Sequence, residues 1–289
     1  MLKFLTFAKR PHDMKNRARR ILRRLMIFLA VYMTVLLGAF ALGLPDRLML
    51  WPQSGPVSAH GATRFTVPWS GGDLELWKAR TNREPEAYVL RFHGNGDLVE
   101  HWVTSEAQDL PFAGEMWAMN YPGFGGSTGP ASLKAIGESA LVAYDALAKV
   151  AGDKPIFVFG TSMGTTAALR VASARKVAGV FLHNPPALRS IIVGDHGWWN
   201  LWLLAVPLSW RVPASLDSVA NGAQCIAPAV FAMSGKDTVV RYRYQREVFD
   251  AYKGEKHALV RPDANHNDPI VDRAEINQHL LQMFTAARR

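Results

Sequence analysis

Apolar and polar residues follow two rhythms along this chain, and each rhythm predicts a different element. Residues 64–69 and 73–79 alternate around Ser70-Gly71-Gly72 and predict a β-hairpin. Beyond them, continuous apolar runs predict strands at 87–92, 115–120, 155–159, 177–182, 229–233 and 258–261. Helical spacing between the runs predicts helices at 97–109, 131–150, 163–173, 242–252 and 274–287. Because strands that are apolar throughout must be covered on both faces, we expect an α/β fold with a mostly parallel central sheet and helices on both faces.

One segment interrupts the alternation of strands and helices. Residues 185–222 lie between two predicted strands and contain Trp198, Trp199, Trp202 and Trp210 among many Leu and Val residues. Their apolar runs are too short to span a bilayer and too apolar to lie open in water. We expect a short Trp-rich cap inserted over the carboxyl edge of the sheet. Such a cap could pack on the domain core, line an acyl-chain pocket or dip into a membrane interface.

The N-terminal region has the composition of a membrane anchor. Residues 25–44 carry no charge and are long enough for a transmembrane helix, whereas residues 1–24 form a basic tail. The positive-inside rule then predicts a cytoplasmic N-terminus, a linker at 45–61, and a domain over 62–289 on the outer side, which is the periplasm in a Gram-negative bacterium. Two alternatives are a cleaved signal peptide, with a small-x-small site at 39–41, and a buried core helix.

Charge and cysteine content narrow the possible partners. The formal net charge is +9, but residues 1–24 alone contribute +8, so the rest of the chain is nearly neutral. A nearly neutral body gives no reason to expect nucleic acid as a partner. Cys225 is the only cysteine, so no internal disulfide can form, and no Cys/His cluster has zinc-site spacing. We therefore expect neither a metal nor an organic cofactor.

A G-x-S-x-G sequence supplies the main chemical signal. It runs from Gly160 to Gly164 with Ser162 at its centre, directly after one predicted strand and at the start of a helix. A sharp strand-to-helix turn can hold a serine nucleophile in a strained conformation, and glycines on either side leave room for the backbone. The alternative is a glycine-rich βα turn with an incidental serine.

From about residue 62 to the C-terminus, the sequence resembles the α/β-hydrolase superfamily. The stretch His93-Gly94-Asn95-Gly96 resembles its oxyanion loop, which implies that the backbone N–H groups of Asn95 and Met163 stabilise an oxyanion. Residues 120–127 resemble its glycine-rich loop. This loop has neither G-x-G-x-x-G spacing nor a P-loop lysine, so a nucleotide site is not expected.

The resemblance also implies a serine–acid–histidine order. Asp237 follows the strand at 229–233 and His266 follows the last strand, which implies that they are the acid and the base acting on Ser162. Other candidates remain open at this point. For the acid they are Asp263 and Asp268, and for the histidine they are His93, His257 and His279.

The resemblance implies a membrane-anchored serine hydrolase of carboxylic esters or thioesters, acting on a lipophilic acyl substrate through an acyl-enzyme. The alternatives are a catalytically silent scaffold or binding module at the membrane, a soluble secreted hydrolase, and a serine peptidase of the same fold.

Overall fold

The structure is a computed structural model that describes residues 11–55, 60–200, 202–270 and 273–288. The chain divides into two compact units, residues 1–48 and 49–289. Part of the predicted basic tail, residues 1–10, and part of the predicted linker, residues 56–59, lie outside the described residues.

The N-terminal unit contains one long helix, α1, Pro11–Ala41, followed by the start of the short helix α2, Leu44–Met49. Residues Asn16–Ala41 are long and apolar enough to cross a membrane, and the most apolar part of this helix is unburied. The helix ends before the predicted boundary at residue 44, because Gly43 adopts a left-handed conformation with φ of 65°. The first residues of the predicted linker, 45–49, are helical and belong to α2.

The second unit is built on one eight-stranded sheet. Its strands are β1 Thr63–Trp69, β2 Gly72–Arg80, β3 Ala87–Phe92, β4 Gly114–Met119, β5 Ile156–Thr161, β6 Gly179–His183, β7 Ala229–Ser234 and β8 Lys256–Arg261. The spatial order is β1-β2-β4-β3-β5-β6-β7-β8. The β1–β2 and β2–β4 pairs are antiparallel, and all other pairs are parallel. The predicted hairpin and mostly parallel sheet are therefore confirmed.

Helices cover both faces of the sheet, as the apolar strands require. They are α3 Val103–Gln108, α4 Leu133–Ala151, α5 Met163–Ala174, α6 Leu188–His196, α7 Ala205–Ser209, α8 Ser218–Gly222, α9 Tyr242–Ala251 and α10 Ala274–Ala287. Helices α4, α5 and α9 share one buried cluster with the sheet, and α3 and α10 share another. Neighbouring strand residues such as Val89 and Leu90 belong to opposite clusters, because successive side chains of a strand point to opposite faces.

One predicted helix is wrong in detail. Residues 97–109 form a short 3₁₀ turn, Val99–His101, and then α3, with a break at Trp102. The indole Nε1 of Trp102 donates to Asp97 Oδ2 at 2.8 Å, and the Trp102 ring lies against the guanidinium of Arg91. These side-chain contacts hold Trp102 outside helical geometry, and they override the local helical spacing.

The predicted cap, 185–222, consists of short helices between β6 and β7. Its four tryptophans, Trp198, Trp199, Trp202 and Trp210, are between 46% and 73% exposed. They do not pack in the domain core, which was one of the predicted possibilities. The cap therefore presents an aromatic surface to its surroundings.

Candidate active site

Ser162 stands at the turn between β5 and α5 in a strained conformation. Its φ is 51° and its ψ is −122°, a region that residues with a side chain rarely occupy and that costs roughly 1–3 kcal/mol. The backbone N–H of Ser162 donates to the carbonyl of His183 at 2.7 Å, and the Ser162 carbonyl accepts from Thr165 N at 2.9 Å. These hydrogen bonds hold the turn, and the half-buried Ser162 lies at the carboxyl edge of the sheet.

The two flanking glycines of the motif permit close backbone approach. A Cβ atom on Gly160 would lie 2.6 Å from the carbonyl oxygen of Gly164. A Cβ atom on Gly164 would lie 2.6 Å from the carbonyl oxygen of His93. Real Cβ atoms are not found at such distances from backbone atoms, so any larger residue would push α5 away from the sheet.

The structure brings the three predicted catalytic residues together from the ends of three strands. The Nε2 atom of His266 lies 3.0 Å from Ser162 Oγ, and its Nδ1 atom lies 2.6 Å from Asp237 Oδ2. Asp237 follows β7 and His266 follows β8, so the parallel sheet delivers both to the edge where Ser162 stands. The His266 side chain is 12% exposed and that of Asp237 is fully buried. This arrangement can pass a proton between a hydroxyl and an imidazole that a carboxylate orients.

Backbone and side-chain donors hold the Asp237 carboxylate in place. Its Oδ1 atom accepts from the N–H groups of Val239 and Val240 at 2.8 and 2.7 Å. Its Oδ2 atom accepts from Gln245 Nε2 at 3.1 Å as well as facing His266. Gln245 is fully buried and also exchanges hydrogen bonds with the backbone of Ser234. Sequence reasoning missed Gln245, although its position on the helix after the acid loop is a signal that could have found it.

The predicted oxyanion loop lies beside the serine. A Cβ atom built on Gly94 would be 3.8 Å from Ser162 Cβ. The Asn95 side chain is committed elsewhere, because it donates to the carbonyl of Met49 and accepts from Trp51 N. Within the described part of the chain, the backbone N–H groups of Asn95 and Met163 make no hydrogen bond. Two free N–H groups near a serine are the donors that a developing oxyanion requires.

His93 is the first residue of this loop, and its imidazole is kept neutral. It is buried, and burial lowers its pKa to about 4. Its Nδ1 lies 2.6 Å from the Gly94 carbonyl, so Nδ1 carries the proton. The hydroxyl of Tyr121, in the predicted glycine-rich loop, donates to the His93 carbonyl at 2.7 Å. His93 therefore has a structural position, and it does not contact Ser162 Oγ or Asp237 among the described hydrogen bonds.

A second buried histidine, His183, lies next to the turn that carries Ser162. Burial first, and then the positive charge of Arg261, lower the pKa of His183 to about 3. Arg261 Nη2 donates to His183 Nε2 at 3.2 Å, which also requires a neutral imidazole. The next residue, Asn184, has φ of 52° and is fully buried. Sequence reasoning missed both residues, because neither belongs to a local motif.

A partly buried ion pair also supports the turn that carries Ser162. The guanidinium of Arg91, on β3, contacts Glu106 of α3 at 2.7 and 3.0 Å through two N–H groups. One of these nitrogens, Nη2, also donates to Thr161 Oγ1 at 2.9 Å. Because Thr161 precedes Ser162, the ion pair connects the covering helix, the strand and the turn. Sequence reasoning missed this contact too.

The remaining candidates lie apart from Ser162. Asp263 pairs with Lys236 Nζ at 2.6 Å on the surface, and Asp268 accepts from Asn265 N at 2.7 Å. The rings of His257 and His279 lie against each other, tilted by 34°, at the other end of β8. None of these four side chains contacts Ser162 Oγ within the described residues.

Comparisons with known proteins agree with this architecture. The family model for the alpha/beta hydrolase fold matches residues 88–213. No curated protein sequence matches the chain. An esterase of Pyrococcus furiosus superposes with a TM-score of 0.63 at 17% identity, covering 82% of this chain and 96% of that one.

Two further solved structures share the fold. Acetyl xylan esterase 1 from Thermoanaerobacterium sp. JW/SL YS485 superposes with a TM-score of 0.56 at 13% identity, covering 80% of this chain and 87% of that one. The acylaminoacyl peptidase of Pyrococcus horikoshii superposes with a TM-score of 0.57 at 12% identity, covering 80% of this chain and 41% of that one. The family match over residues 88–213 and the common architecture show that this chain has the α/β-hydrolase fold.

Proposed function

We propose that this protein is a serine hydrolase that cleaves carboxylic ester or thioester bonds. The observation that carries the proposal is the contact of Ser162 Oγ with His266 Nε2 at 3.0 Å, with Asp237 bound to the opposite ring nitrogen at 2.6 Å. A catalytically silent scaffold has no need for this geometry, so the contact favours an enzyme. The esterase names of two fold relatives are in keeping with the proposal.

The reaction follows from the positions of these groups. As Ser162 Oγ attacks the acyl carbon, its proton passes to His266 Nε2. The N–H groups of Asn95 and Met163 stabilise the negative oxygen of the tetrahedral intermediate. Collapse of that intermediate breaks the bond to the leaving group, which takes the proton from His266. A water molecule then gives a proton to His266, attacks the acyl-enzyme and releases the carboxylic acid, while the proton returns to Ser162.

We infer a lipophilic acyl substrate from the surface of the cap. Trp198, Trp199 and Trp210 are each more than 60% exposed, and such a dense aromatic surface suits apolar ligands or a membrane interface. The helix Asn16–Ala41 would keep the enzyme beside lipid as a single-pass anchor. With the basic tail in the cytoplasm, the hydrolase unit lies on the outer side, which is the periplasm in a Gram-negative bacterium.

A series of p-nitrophenyl esters from acetate to palmitate tests the substrate class. We expect kcat/KM to rise with chain length, with a ceiling of about fourfold per added methylene, because each buried CH₂ contributes about 0.8 kcal/mol. Replacing Trp198 and Trp199 by Gln should lower the rate on long chains and spare acetate. Ile226→Gln is the matched control, because Ile226 is 76% exposed and lies outside the cap.

Two outcomes separate the parts of this proposal. If acetate is the best substrate while activity still depends on Ser162, the hydrolase stands and the lipophilic substrate is wrong. If N-terminal sequencing of the mature protein begins near residue 42, or carbonate releases the protein from membranes, the anchor is wrong and a cleaved signal peptide replaces it.

A further inference from the structure

Three potential metal ligands meet on the surface at the far end of β8 from the candidate active site. They are His257 on β8 and Glu275 and His279 on α10, and one ligand atom from each lies within 4.8 Å of the others. His257 is the second residue of β8, and the four residues from there to Arg261 span about 13 Å. The loop with His266 begins only after Arg261, so this cluster is separate from Ser162 and its partners.

The spacing of one pair of these side chains matches the requirements of a small ion. The Nε2 atom of His257 lies 3.5 Å from Glu275 Oε1. In a tetrahedral site with metal–ligand distances of about 2.0–2.2 Å, neighbouring ligand atoms are about 3.4 Å apart. The rings of His257 and His279 lie against each other with centroids 3.8 Å apart, so the two rings must rotate apart for one nitrogen of each to face the same ion.

The backbone explains why these side chains can converge. Glu275 and His279 are four residues apart on α10, so they project from the same face of the helix. Side chains on that face reach His257 of β8, the outer strand of the sheet, which contributes the third ligand. The His257 and Glu275 side chains are 46% and 63% exposed, so an ion can reach them from solvent.

We propose that His257, Glu275 and His279 form a binding site for a zinc-class divalent transition-metal ion, with water as the fourth ligand. Two imidazoles and one carboxylate suit zinc and its neighbours, whereas calcium and magnesium prefer oxygen ligands alone. The ion would link β8 to α10. The chain segment between these two elements carries His266, so the ion would restrain both ends of that segment. No such site was predicted from the sequence, because its histidines have no short zinc-site spacing and the ligands come from two separate elements. The site does not depend on the hydrolase function.

Zinc titration of the full-length protein tests the site. The protein is purified in detergent without a polyhistidine tag, stripped with a chelator, and titrated with ZnSO₄ by calorimetry. We expect one zinc ion per chain and a higher unfolding temperature in the presence of zinc. His257→Ala, His279→Ala and Glu275→Gln should each weaken binding at least about tenfold, because losing even an outer partner of a ligand costs 10- to 100-fold in affinity.

His101→Ala is the matched control, because His101 is also exposed and pairs, among the residues that the structure describes, with a single carboxylate, that of Asp97 at 3.7 Å. It should bind zinc like the unmodified protein. Unfolding temperatures of the metal-free variants establish that each is folded. X-ray absorption of the zinc complex should show imidazole ligands. Absence of saturable zinc binding, or binding that survives both His257→Ala and His279→Ala, would overturn the proposal.

Discussion

The side-chain amide of Asn184 donates to the backbone carbonyl of His266 at 3.0 Å, across 82 residues of sequence. Asn184 directly follows β6, is fully buried, and receives further support because its N–H donates to the Ala232 carbonyl. The loop that carries the proposed base is thus fastened to the centre of the sheet through this residue. Within the described residues, the Asn184 Oδ1 atom has no hydrogen-bond partner, so the side-chain amide acts here through its N–H donor.

Removing this amide should slow the reaction by displacing His266. We expect Asn184→Gly to lower kcat about 10- to 100-fold, because a displacement of about 1 Å at a reacting group can cost 10²-fold. Asn184→Ala should show the same loss in kcat and unfold at a lower temperature than Asn184→Gly, because a Cβ atom at positive φ costs about 1 kcal/mol relative to glycine. KM should change little in both. If kcat of Asn184→Gly equals that of the unmodified protein, the hydrogen bond from the Asn184 amide does not position His266.

Asp237 should be the carboxylate on which activity depends. We expect Asp237→Asn to lower kcat by about 10⁴-fold, because an amide at this place favours the wrong imidazole tautomer. The control is Asp263→Asn, since Asp263 is an exposed residue paired with Lys236. It should leave kcat within about twofold, as surface substitutions usually do. If Asp268→Asn lowers kcat as strongly as Asp237→Asn, the acid has been assigned to the wrong residue.

Gly164, two residues after Ser162, should not tolerate a methyl group. Gly164→Ala places a Cβ against the carbonyls of Phe92 and His93, and we expect a loss of at least about 2 kcal/mol in the free energy of unfolding. Gly55→Ala is the control, because no atom lies within 4 Å of its Cβ position and its φ is not positive. Urea denaturation measures both. Equal stability of the two variants would contradict the close approach of α5 to the oxyanion loop.

Stability should fall as the pH drops below the usual pKa of histidine. The pKa of buried His183 is lowered to about 3 and that of His93 to about 4, so the unfolded chain binds protons that the folded protein does not. The contribution of each is constant above about pH 6.5 and becomes less favourable below it, by up to about 1.4 kcal/mol per pH unit. The loss of stability continues until the pH reaches the pKa that each histidine has in the folded protein.

Urea midpoints between pH 7 and pH 4.5 measure this dependence. His183→Gln should have a smaller decrease than the unmodified protein, because one of the two buried histidines no longer titrates. His101→Gln, which alters an exposed histidine, should keep the full decrease. If His183→Gln keeps it as well, His183 is not held neutral by burial.

The sequence predicted most of the sheet and the meeting of Ser162, Asp237 and His266, because both leave local patterns. Apolar runs such as 87–92 mark buried strands, and Asp237 and His266 directly follow two of them. Arg91 and Asn184 were missed, because their roles come from contacts with residues far away in the sequence. Gln245 and the break at Trp102 depend on side-chain hydrogen bonds to Asp237 and Asp97, which a pattern of apolar and polar positions does not record.

The most direct test of the account is labelling with a fluorophosphonate probe, which reacts covalently with an activated serine. The unmodified full-length protein and Ser162→Ala are compared in detergent, with circular dichroism to establish that both are folded. We predict that one probe binds per chain of the unmodified protein, that His266→Gln slows labelling strongly, and that Ser162→Ala is not labelled. Labelling that persists in Ser162→Ala, or a folded unmodified protein that takes up no probe, would contradict Ser162 as the nucleophile.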